Sequence, residues 1–269
     1  MTPIGVFDSG FGGLTILRDL RRALPGADFL YLGDNARAPY GPRSFELVYR
    51  FTLQAVKHLF AQGCPLVILA CNTASAKALR SIQQRDLADI DPTRRVLGVI
   101  RPTVEAVAGS RSVGLFGTPG TVASGSYDIE IAKLSPGTEI HSHACPMWVP
   151  LVEYGEADGD GADYFVKKDI DALFGAHPDI STLILGCTHY PLLLDKIKKY
   201  LPAGVRVLTQ GRIVADSLLD YLHRHPDMDT RISRHGTVRY LTTESAEKFT
   251  PLASQFMGEP VAATTIRLD

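Results

Sequence analysis

The sequence predicts an α/β fold of two pseudo-symmetric α/β domains with mainly parallel sheets and an active site in the cleft between them. Three features predict this fold: strand-like apolar runs alternate with helical patterns, polar residues directly follow many of these runs, and a pair of strand–turn segments recurs in the second half. The 269 residues, 45% hydrophobic and 21% charged, suit a packed core in one large or two smaller domains.

The first half of the chain contains four strand-like runs separated by helical patterns. The helix after the second run is the clearest, because apolar residues recur at helical spacing from Leu47 to Phe60 and Ser44 is a suitable N-cap. Pro102 suits the first turn of the helix after the fourth run. We predict these strands over residues 4–7, 29–32, 66–70 and 96–100.

The second half continues the alternation, with a further helix over residues 211–225. We predict strands over residues 113–116, 139–143, 182–185, 205–208, 238–241 and 261–266. Ligands of such folds bind at the carboxyl ends of the strands. The polar or reactive residues at these ends are Asp8, Ser9, Asp34, Cys71, Thr118 and Cys187.

Two pairs of segments in the chain look alike. Residues 4–10 resemble residues 113–119, and residues 67–73 resemble residues 183–189, in the same order and with polar residues at the same point. This repetition predicts two related halves, and pseudo-twofold packing would bring the carboxyl ends of their strands together. The cleft would then receive Cys71 from one half and Cys187 from the other.

The positions of these two cysteines favour acid/base chemistry. Each follows an apolar strand and precedes a helix start, where the helix dipole and nearby amides can lower a thiol pKa. A thiolate and a thiol on opposite faces of a carbon atom could invert its configuration by proton transfer. For a single such cysteine, a small core residue is the usual role, and a cysteine with a histidine could instead be a nucleophile for acyl transfer.

Asp8 and His189 are the natural helpers of Cys71 and Cys187, although Asp8 could instead cap the following helix. Asp34 and Glu153 are weaker candidates. Cys64 and Cys145 are interpreted as core residues. We expect no metal site, because the chain has no Cys-x-x-Cys spacing, and we interpret residues 141 and 143 as an exposed or satisfied histidine pair.

The composition argues against several classes of partner. With 28 basic and 29 acidic residues, the formal charge of -1 gives no electrostatic case for binding nucleic acid or an anionic membrane. The longest apolar run, residues 66–71, is too short to cross a bilayer, and we see no signal peptide. Four cysteines are too few for a disulfide scaffold, so we expect free thiols and a cytoplasmic location.

Several motifs resemble the glutamate racemases of the aspartate/glutamate racemase family, in the same order along nearly the whole chain. The last of them, Gly-Cys-Thr-His-Tyr-Pro, is the most specific and favours the glutamate branch over the aspartate branch. The motifs are residues 8–10 (Asp-Ser-Gly), 40–41 (Tyr-Gly), 71–73 (Cys-Asn-Thr), 144–153 and 186–191.

This resemblance implies a cofactor-independent racemase that interconverts L- and D-glutamate and supplies D-glutamate for bacterial peptidoglycan. It implies that Cys71 takes the α-proton from D-glutamate and Cys187 takes it from L-glutamate. We also expect a homodimer. The substrate-binding residues that the resemblance implies are Asp8, Ser9, Tyr40, Gly41, Asn72, Thr73, Thr118, Thr121, Thr188 and His189.

The resemblance further implies a discontinuous first domain, residues 1–95 plus 210–269, around a second domain of residues 96–209. Two segments depart from the family pattern. Residues 101–103 (Arg-Pro-Thr) replace a more usual acidic-Pro-small run, and residues 209–211 (Thr-Gln-Gly) lack an Asp-Ser-like pair. Both lie near the predicted domain junction, so they bear on hinge behaviour and regulation.

Three other functions remain open from the sequence. Gly10, Gly12 and Gly13 follow a strand and Asp34 ends the next one, as in a dinucleotide-binding site, but Thr15 stands at the third glycine position. A second alternative is a two-cysteine isomerase that acts on aspartate, hydantoins or maleate. A third is a protein-binding role as an inhibitor of DNA gyrase, for which no surface is marked in the sequence.

Overall fold

The structure, a computed structural model, describes residues 1–268. Its strands, numbered along the chain, are β1 Ile4–Asp8, β2 Phe29–Gly33, β3 Leu66–Leu69, β4 Arg95–Gly98, β5 Ser112–Gly117, β6 Glu139–Ala144, β7 Thr182–Gly186, β8 Arg206–Leu208, β9 Val238–Thr242 and β10 Ala263–Thr265. All of the strand pairs in these residues are parallel. Each predicted strand is present, with ends that differ from the prediction by at most two residues.

At least one helix lies between each strand and the next along residues 1–268. Ser44 caps the second helix as predicted, because its Oγ accepts a hydrogen bond from the amide of Leu47 at 3.3 Å. The helices are α1 Gly13–Ala23, α2 Phe45–Ala61, α3 Asn72–Lys77, α4 Leu79–Ser81, α5 Leu87–Ile90, α6 Ile100–Glu105, α7 Pro119–Ala123, α8 Ser126–Leu134, α9 Trp148–Glu153, α10 Asp160–Ala176, α11 Leu194–Tyr200, α12 Gln210–Arg224, α13 Pro226–Asp229 and α14 Ala246–Met257, with a π-helical turn at Ile82–Asp86 and 3₁₀ turns at Asn35–Arg37 and Tyr190–Leu193.

The two sheets have the same internal order of strands. The first is ordered β10-β9-β2-β1-β3-β4 and the second β6-β5-β7-β8. Strands β2-β1-β3-β4 therefore correspond one by one to β6-β5-β7-β8, and β9 and β10 extend the first sheet. This arrangement confirms the predicted fold class of two parallel-sheet α/β units.

The central strands are buried because they carry continuous apolar runs, as parallel strands covered on both faces do. Every residue of β1, β2, β3, β5 and β7 is buried, whereas the edge strands β4, β6, β8 and β10 are partly exposed. A single apolar cluster contains residues of β1 and β7. The two sheets are therefore joined by packed side chains.

The fourth strand pairs in the first sheet, whereas the predicted domain boundary assigned residues 96–100 to the second domain. Arg95–Gly98 pairs with β3 in the first sheet, and Ile100 already begins α6. The predicted boundary between residues 95 and 96 thus falls inside β4. The chain crosses between the sheets after β4 and after β8, and we propose that the first boundary lies between residues 98 and 112. No helix within residues 1–268 has the length and apolar character needed to cross a membrane.

Candidate active site

Cys71 and Cys187 occupy equivalent positions in the two sheets. Cys71 follows β3, the neighbour of β1, and Cys187 follows β7, the neighbour of β5. Each residue is only 6% exposed. The thiols are close enough for the charge of Cys187 to contribute to the pKa of Cys71. The structure thus brings both cysteines to one region between the two sheets.

Polar groups of the first sheet surround the Cys71 thiol. Its Sγ lies 3.3 Å from the hydroxyl of Ser9 and 3.4 Å from the amide of Ala74, which donates to it at the start of α3. Burial, assisted by the nearby charge of Asp8, raises the pKa of Cys71 to about 12, although these two hydrogen bonds oppose the shift. At neutral pH this thiol therefore holds its proton and can act as an acid.

Cys187 faces a histidine rather than a carboxylate. Its Sγ lies 3.8 Å from Nδ1 of His189, and Nε2 of that ring lies 3.1 Å from Oε1 of Glu153. Burial alone would lower the pKa of His189, but the thiol and the carboxylate on its two nitrogens outweigh burial and raise it. The imidazole of His189 therefore favours its charged form beside Cys187.

Asp8 presents a carboxylate oxygen to the site. Its Oδ2 accepts a hydrogen bond from the amide of Gly10 at 2.8 Å, whereas its Oδ1 is buried without a partner among residues 1–268. Burial raises the pKa of Asp8, and the charge of His189 opposes that rise. Gly12, not Asp8, occupies the N-cap position of α1, although a hydrogen bond from the amide of Gly13, the first residue of that helix, also acts on the pKa of Asp8.

Three threonine hydroxyls form a triangle between the two sheets. Oγ1 of Thr73, on α3, lies 2.9 Å from Oγ1 of Thr118 and 3.3 Å from that of Thr121, and the latter two are 3.1 Å apart. All three residues are buried. A hydroxyl both donates and accepts, so this triangle can reorganise around a carboxylate.

A loop of the first sheet contacts the same triangle. A Cβ atom on Gly41 would lie 3.1 Å from Cβ of Thr118, so the backbone at this position approaches the second sheet closely. The hydroxyl of the neighbouring Tyr40 donates to Asp34, which is fully buried and also binds Arg37 and Thr243. The hydroxyl of Tyr40, a predicted substrate-binding residue, is thus engaged with a buried carboxylate.

The glycine-rich turn after β1 abuts the second sheet. A Cβ atom on Gly12 would lie 2.2 Å from Oγ1 of Thr188 and 2.6 Å from Nδ1 of His189, so only glycine fits there. Oγ1 of Thr15 lies 3.2 Å from the carbonyl of Thr188. Thr188 and His189 of the second half pack against this turn, and the carboxylate of Asp34 is already bonded to protein side chains. Both contacts argue against the dinucleotide-binding alternative.

Two groups of residues that complete this region were ranked low or were not identified from the sequence. Glu153, a weaker candidate, is the partner of His189, and the only signal for it was its place in the motif of residues 144–153. A buried amide and hydroxyl network also connects Asn72 to residues that no motif includes, namely Thr103, Tyr127 and Gln210.

Cys64 precedes β3, at the opposite end of that strand from Cys71, whereas Cys145 follows β6 and its thiol is close enough to Cys187 for that charge to contribute to its pKa. Burial raises the pKa of Cys64 to about 12 and that of Cys145 well above its usual value. Cys145, His143 and Asp169 bring donor atoms within 4.8 Å of one another, a grouping that the sequence did not suggest. Nε2 of His143 lies 3.1 Å from the Asp169 carboxylate, so the histidine is paired within the protein. That the chain holds no metal remains a prediction.

Comparisons with known proteins agree with this geometry. The family model described as Asp/Glu/Hydantoin racemase matches residues 4–218. A glutamate racemase of Ruegeria sp. is 44% identical over 267 residues, covering 94% of this chain and 96% of the relative. Among solved structures, a glutamate racemase isoform from Bacillus anthracis has 34% identity and a TM-score of 0.89, covering 99% of this chain and 98% of its own.

A glutamate racemase from Francisella tularensis, solved in complex with D-glutamate, has 32% identity and also a TM-score of 0.89. The alignment covers 100% of this chain and 98% of that one. The similarity therefore extends over both sheets and the region between them.

Proposed function

The chain belongs to the Asp/Glu/hydantoin racemase family, and on that premise we propose that it is a glutamate racemase, an isomerase of L- and D-glutamate. The observation that carries the proposal is the pair of nearly buried thiols at the ends of the equivalent strands β3 and β7. A racemase needs an acid and a base on opposite faces of the α-carbon, and this pair supplies both without a cofactor.

The proposed reaction moves one proton off the α-carbon and another onto it. With L-glutamate, the thiolate of Cys187 removes the α-proton, the electron pair stays on the α-carbon, and the thiol of Cys71 protonates the opposite face. With D-glutamate the two cysteines exchange roles. The raised pKa of Cys71 and the His189 imidazole beside Cys187 support this starting state, in which Cys71 is the acid.

The α-proton of an amino acid is a weak acid, so fixed donors must stabilise the developing negative charge. We assign binding of the carboxylates to the hydroxyl triangle of Thr73, Thr118 and Thr121, helped by Thr188. The free Oδ1 of Asp8 is a suitable acceptor for the substrate ammonium group. Ser9, Gly41 and Asn72 line the same region, whereas we expect Tyr40 to act through its bond with Asp34.

The cellular setting follows from the same proposal. D-Glutamate produced by this reaction would enter bacterial peptidoglycan, a cell-wall polymer whose precursors need it. All four cysteines are free and buried, which suits a reducing cytoplasm. A homodimer is also proposed, and light scattering coupled to size-exclusion chromatography will give its mass, with a monomer mass contradicting that assignment.

Exchange of the α-proton in heavy water tests the function. Dialysed protein is incubated with L- or D-glutamate, and deuterium incorporation is followed by NMR while enantiomer conversion is followed by circular dichroism. We expect deuterium to enter as the opposite enantiomer forms. Exchange of aspartate with inert glutamate would keep the mechanism and change the substrate, and no exchange of either under reducing conditions would refute the two-cysteine mechanism.

Serine substitutions assign the exchange to the two thiols. Cys71→Ser and Cys187→Ser should each lower kcat by about 10²-fold to 10⁴-fold, because a hydroxyl is a far weaker acid than a thiol and its basic, ionised form is hardly populated near neutral pH. Cys64→Ser is the matched control, since Cys64 is a buried free thiol outside the site. Equal loss in all three variants would indicate misfolding rather than loss of an acid/base group.

A further inference from the structure

A closed ring of hydrogen bonds lies next to the proposed site, at the junction of the two sheets. Nδ2 of Asn72 donates to Oε1 of Gln210 at 2.5 Å, and Nε2 of Gln210 donates to the hydroxyl of Tyr127 at 3.0 Å. That hydroxyl in turn donates to Oδ1 of Asn72 at 2.8 Å, which closes the ring. Nε2 of Gln210 also donates to Oγ1 of Thr103 at 2.8 Å.

The members of the ring come from distant parts of the chain and are almost without solvent contact. Asn72 and Gln210 are each 2% exposed, Tyr127 is 1% exposed and Thr103 is fully buried. Asn72 directly follows Cys71 in the first sheet, whereas Tyr127 lies on α8 next to the second sheet. Gln210 is the first residue of α12, which follows β8 where the chain returns to the first sheet.

The direction of the bonds fixes the orientation of the Asn72 amide. The hydroxyl of Thr103 donates its proton to the carbonyl of Val99 at 2.6 Å, so its oxygen accepts from Gln210. Gln210 must therefore point its nitrogen at Thr103 and Tyr127, and its oxygen at Asn72. A primary amide has two N–H donors, and the ring uses one from Asn72, which leaves the second for a ligand beside Cys71.

We propose that Gln210 is a positioning residue that orients the Asn72 amide toward the substrate and holds the two sheets in the closed arrangement. This inference rests on the proposed racemase function, and it assigns a role to one of the segments that depart from the family pattern. Because both thiols are only 6% exposed, glutamate can enter only after the halves separate. Closure then reforms the ring, and its bonds favour the substrate-bound state.

The nearly isosteric variant Gln210→Glu tests the role of the donor nitrogen. The carboxylate can still accept from Asn72 but cannot donate to Tyr127 or Thr103, so the ring cannot close in the same direction. We expect KM to rise about tenfold for both enantiomers, the effect of leaving buried polar groups unpaired, with kcat changed less. Tyr127→Phe breaks the ring at another bond and should give the same pattern.

A matched control is available in Gln83, whose Nε2 donates to the carbonyl of Val96 at 2.7 Å away from the ring. Gln83→Glu should leave KM unchanged. A purely structural role of Gln210 would lower the fraction of active enzyme, and hence kcat, with KM unchanged. The double variant Gln210→Glu/Tyr127→Phe should raise KM by less than the product of the single effects, because both changes break one ring.

A binding measurement separates this inference from the proposed function. Calorimetric titration of D-glutamate into Cys71→Ser, with and without Gln210→Glu, should show weaker binding by about tenfold when the ring is broken. If wild-type protein racemises glutamate and Gln210→Glu binds and turns over with unchanged KM, the inference is overturned and the function stands. If wild-type protein neither binds nor racemises glutamate, the function itself is overturned.

Discussion

Replacement of Glu153 by glutamine should weaken the enzyme through His189. The two side chains are 22% and 5% exposed, and their contact of 3.1 Å joins a carboxylate to an imidazole. A hydrogen bond to a charged partner contributes about 1.5–3 kcal/mol, and a neutral one about 0.5–1.5 kcal/mol. The glutamine keeps an acceptor at the same place, so about 1.4 kcal/mol is lost, and kcat/KM should fall about tenfold.

The same substitution should move the whole pH profile. The charge of Glu153 is among the causes that raise the pKa of His189 and of Asp8, so both pKa values fall when this charge is removed. If activity needs protonated His189 and ionised Asp8, the alkaline limb and the acidic limb of kcat/KM both shift to lower pH. A change that only perturbed folding would lower the profile without moving it.

The assay is the initial rate of racemisation by circular dichroism, measured from each enantiomer between about pH 6 and pH 10, the range that spans a raised imidazole pKa. Glu156→Gln is the matched control, because Glu156 is exposed in the turn that directly follows α9, the helix that ends at Glu153. The reasoning fails if the profile of Glu153→Gln superimposes on that of the wild type. It fails equally if Glu156→Gln shifts both limbs by the same amount.

Three further substitutions give distinct results. Gly12→Ala puts a methyl group 2.6 Å from Nδ1 of His189. We expect kcat/KM to fall more than about tenfold and the free energy of unfolding in urea to fall by about 1–3 kcal/mol. Full activity would contradict the tight approach of the two halves. Tyr40→Phe removes the hydroxyl that donates to buried Asp34. The free energy of unfolding should fall by about 1–3 kcal/mol, and KM should stay nearly unchanged. A large rise in KM would instead support direct substrate binding by Tyr40. Thr73→Val removes one hydroxyl of the triangle. KM should rise about fivefold to tenfold for both enantiomers in the same racemisation assay. An unchanged KM would show that the triangle does not bind the substrate.

The strands of the fold could be predicted because burial on both faces requires continuous apolar runs, and such runs are visible in the sequence. The residues after β3 and β7 could be predicted for the same reason, since polar residues that directly follow a buried run lie at a sheet edge. Which of the two sheets β4 joins could not be predicted in this way. An edge strand such as Arg95–Gly98 has the same pattern whichever of two parallel sheets it joins, so its neighbour is decided by packing.

Contacts between distant segments of the chain could not be predicted from sequence patterns either. Glu153 meets His189 across a separation of 36 residues, and Gln210 meets Asn72 across 138. Neither separation matches a helical or strand period, because the two residues of each pair lie on separate elements that come together only in the folded chain. The motif of residues 144–153 pointed to Glu153, whereas residues 209–211 indicated only that this junction differs from the family pattern.

The matching order of β2-β1-β3-β4 and β6-β5-β7-β8 has a stereochemical consequence. Two enantiomers are mirror images, yet a chain of L-amino acids cannot contain a mirror plane. A rotation by half a turn exchanges the two faces of a planar carbanion, so a duplicated unit can present the same reactive group to both faces. Enantiomers have equal free energies in water, so kcat/KM must be the same for both, while Asp8 on one side and His189 on the other leave kcat and KM free to differ.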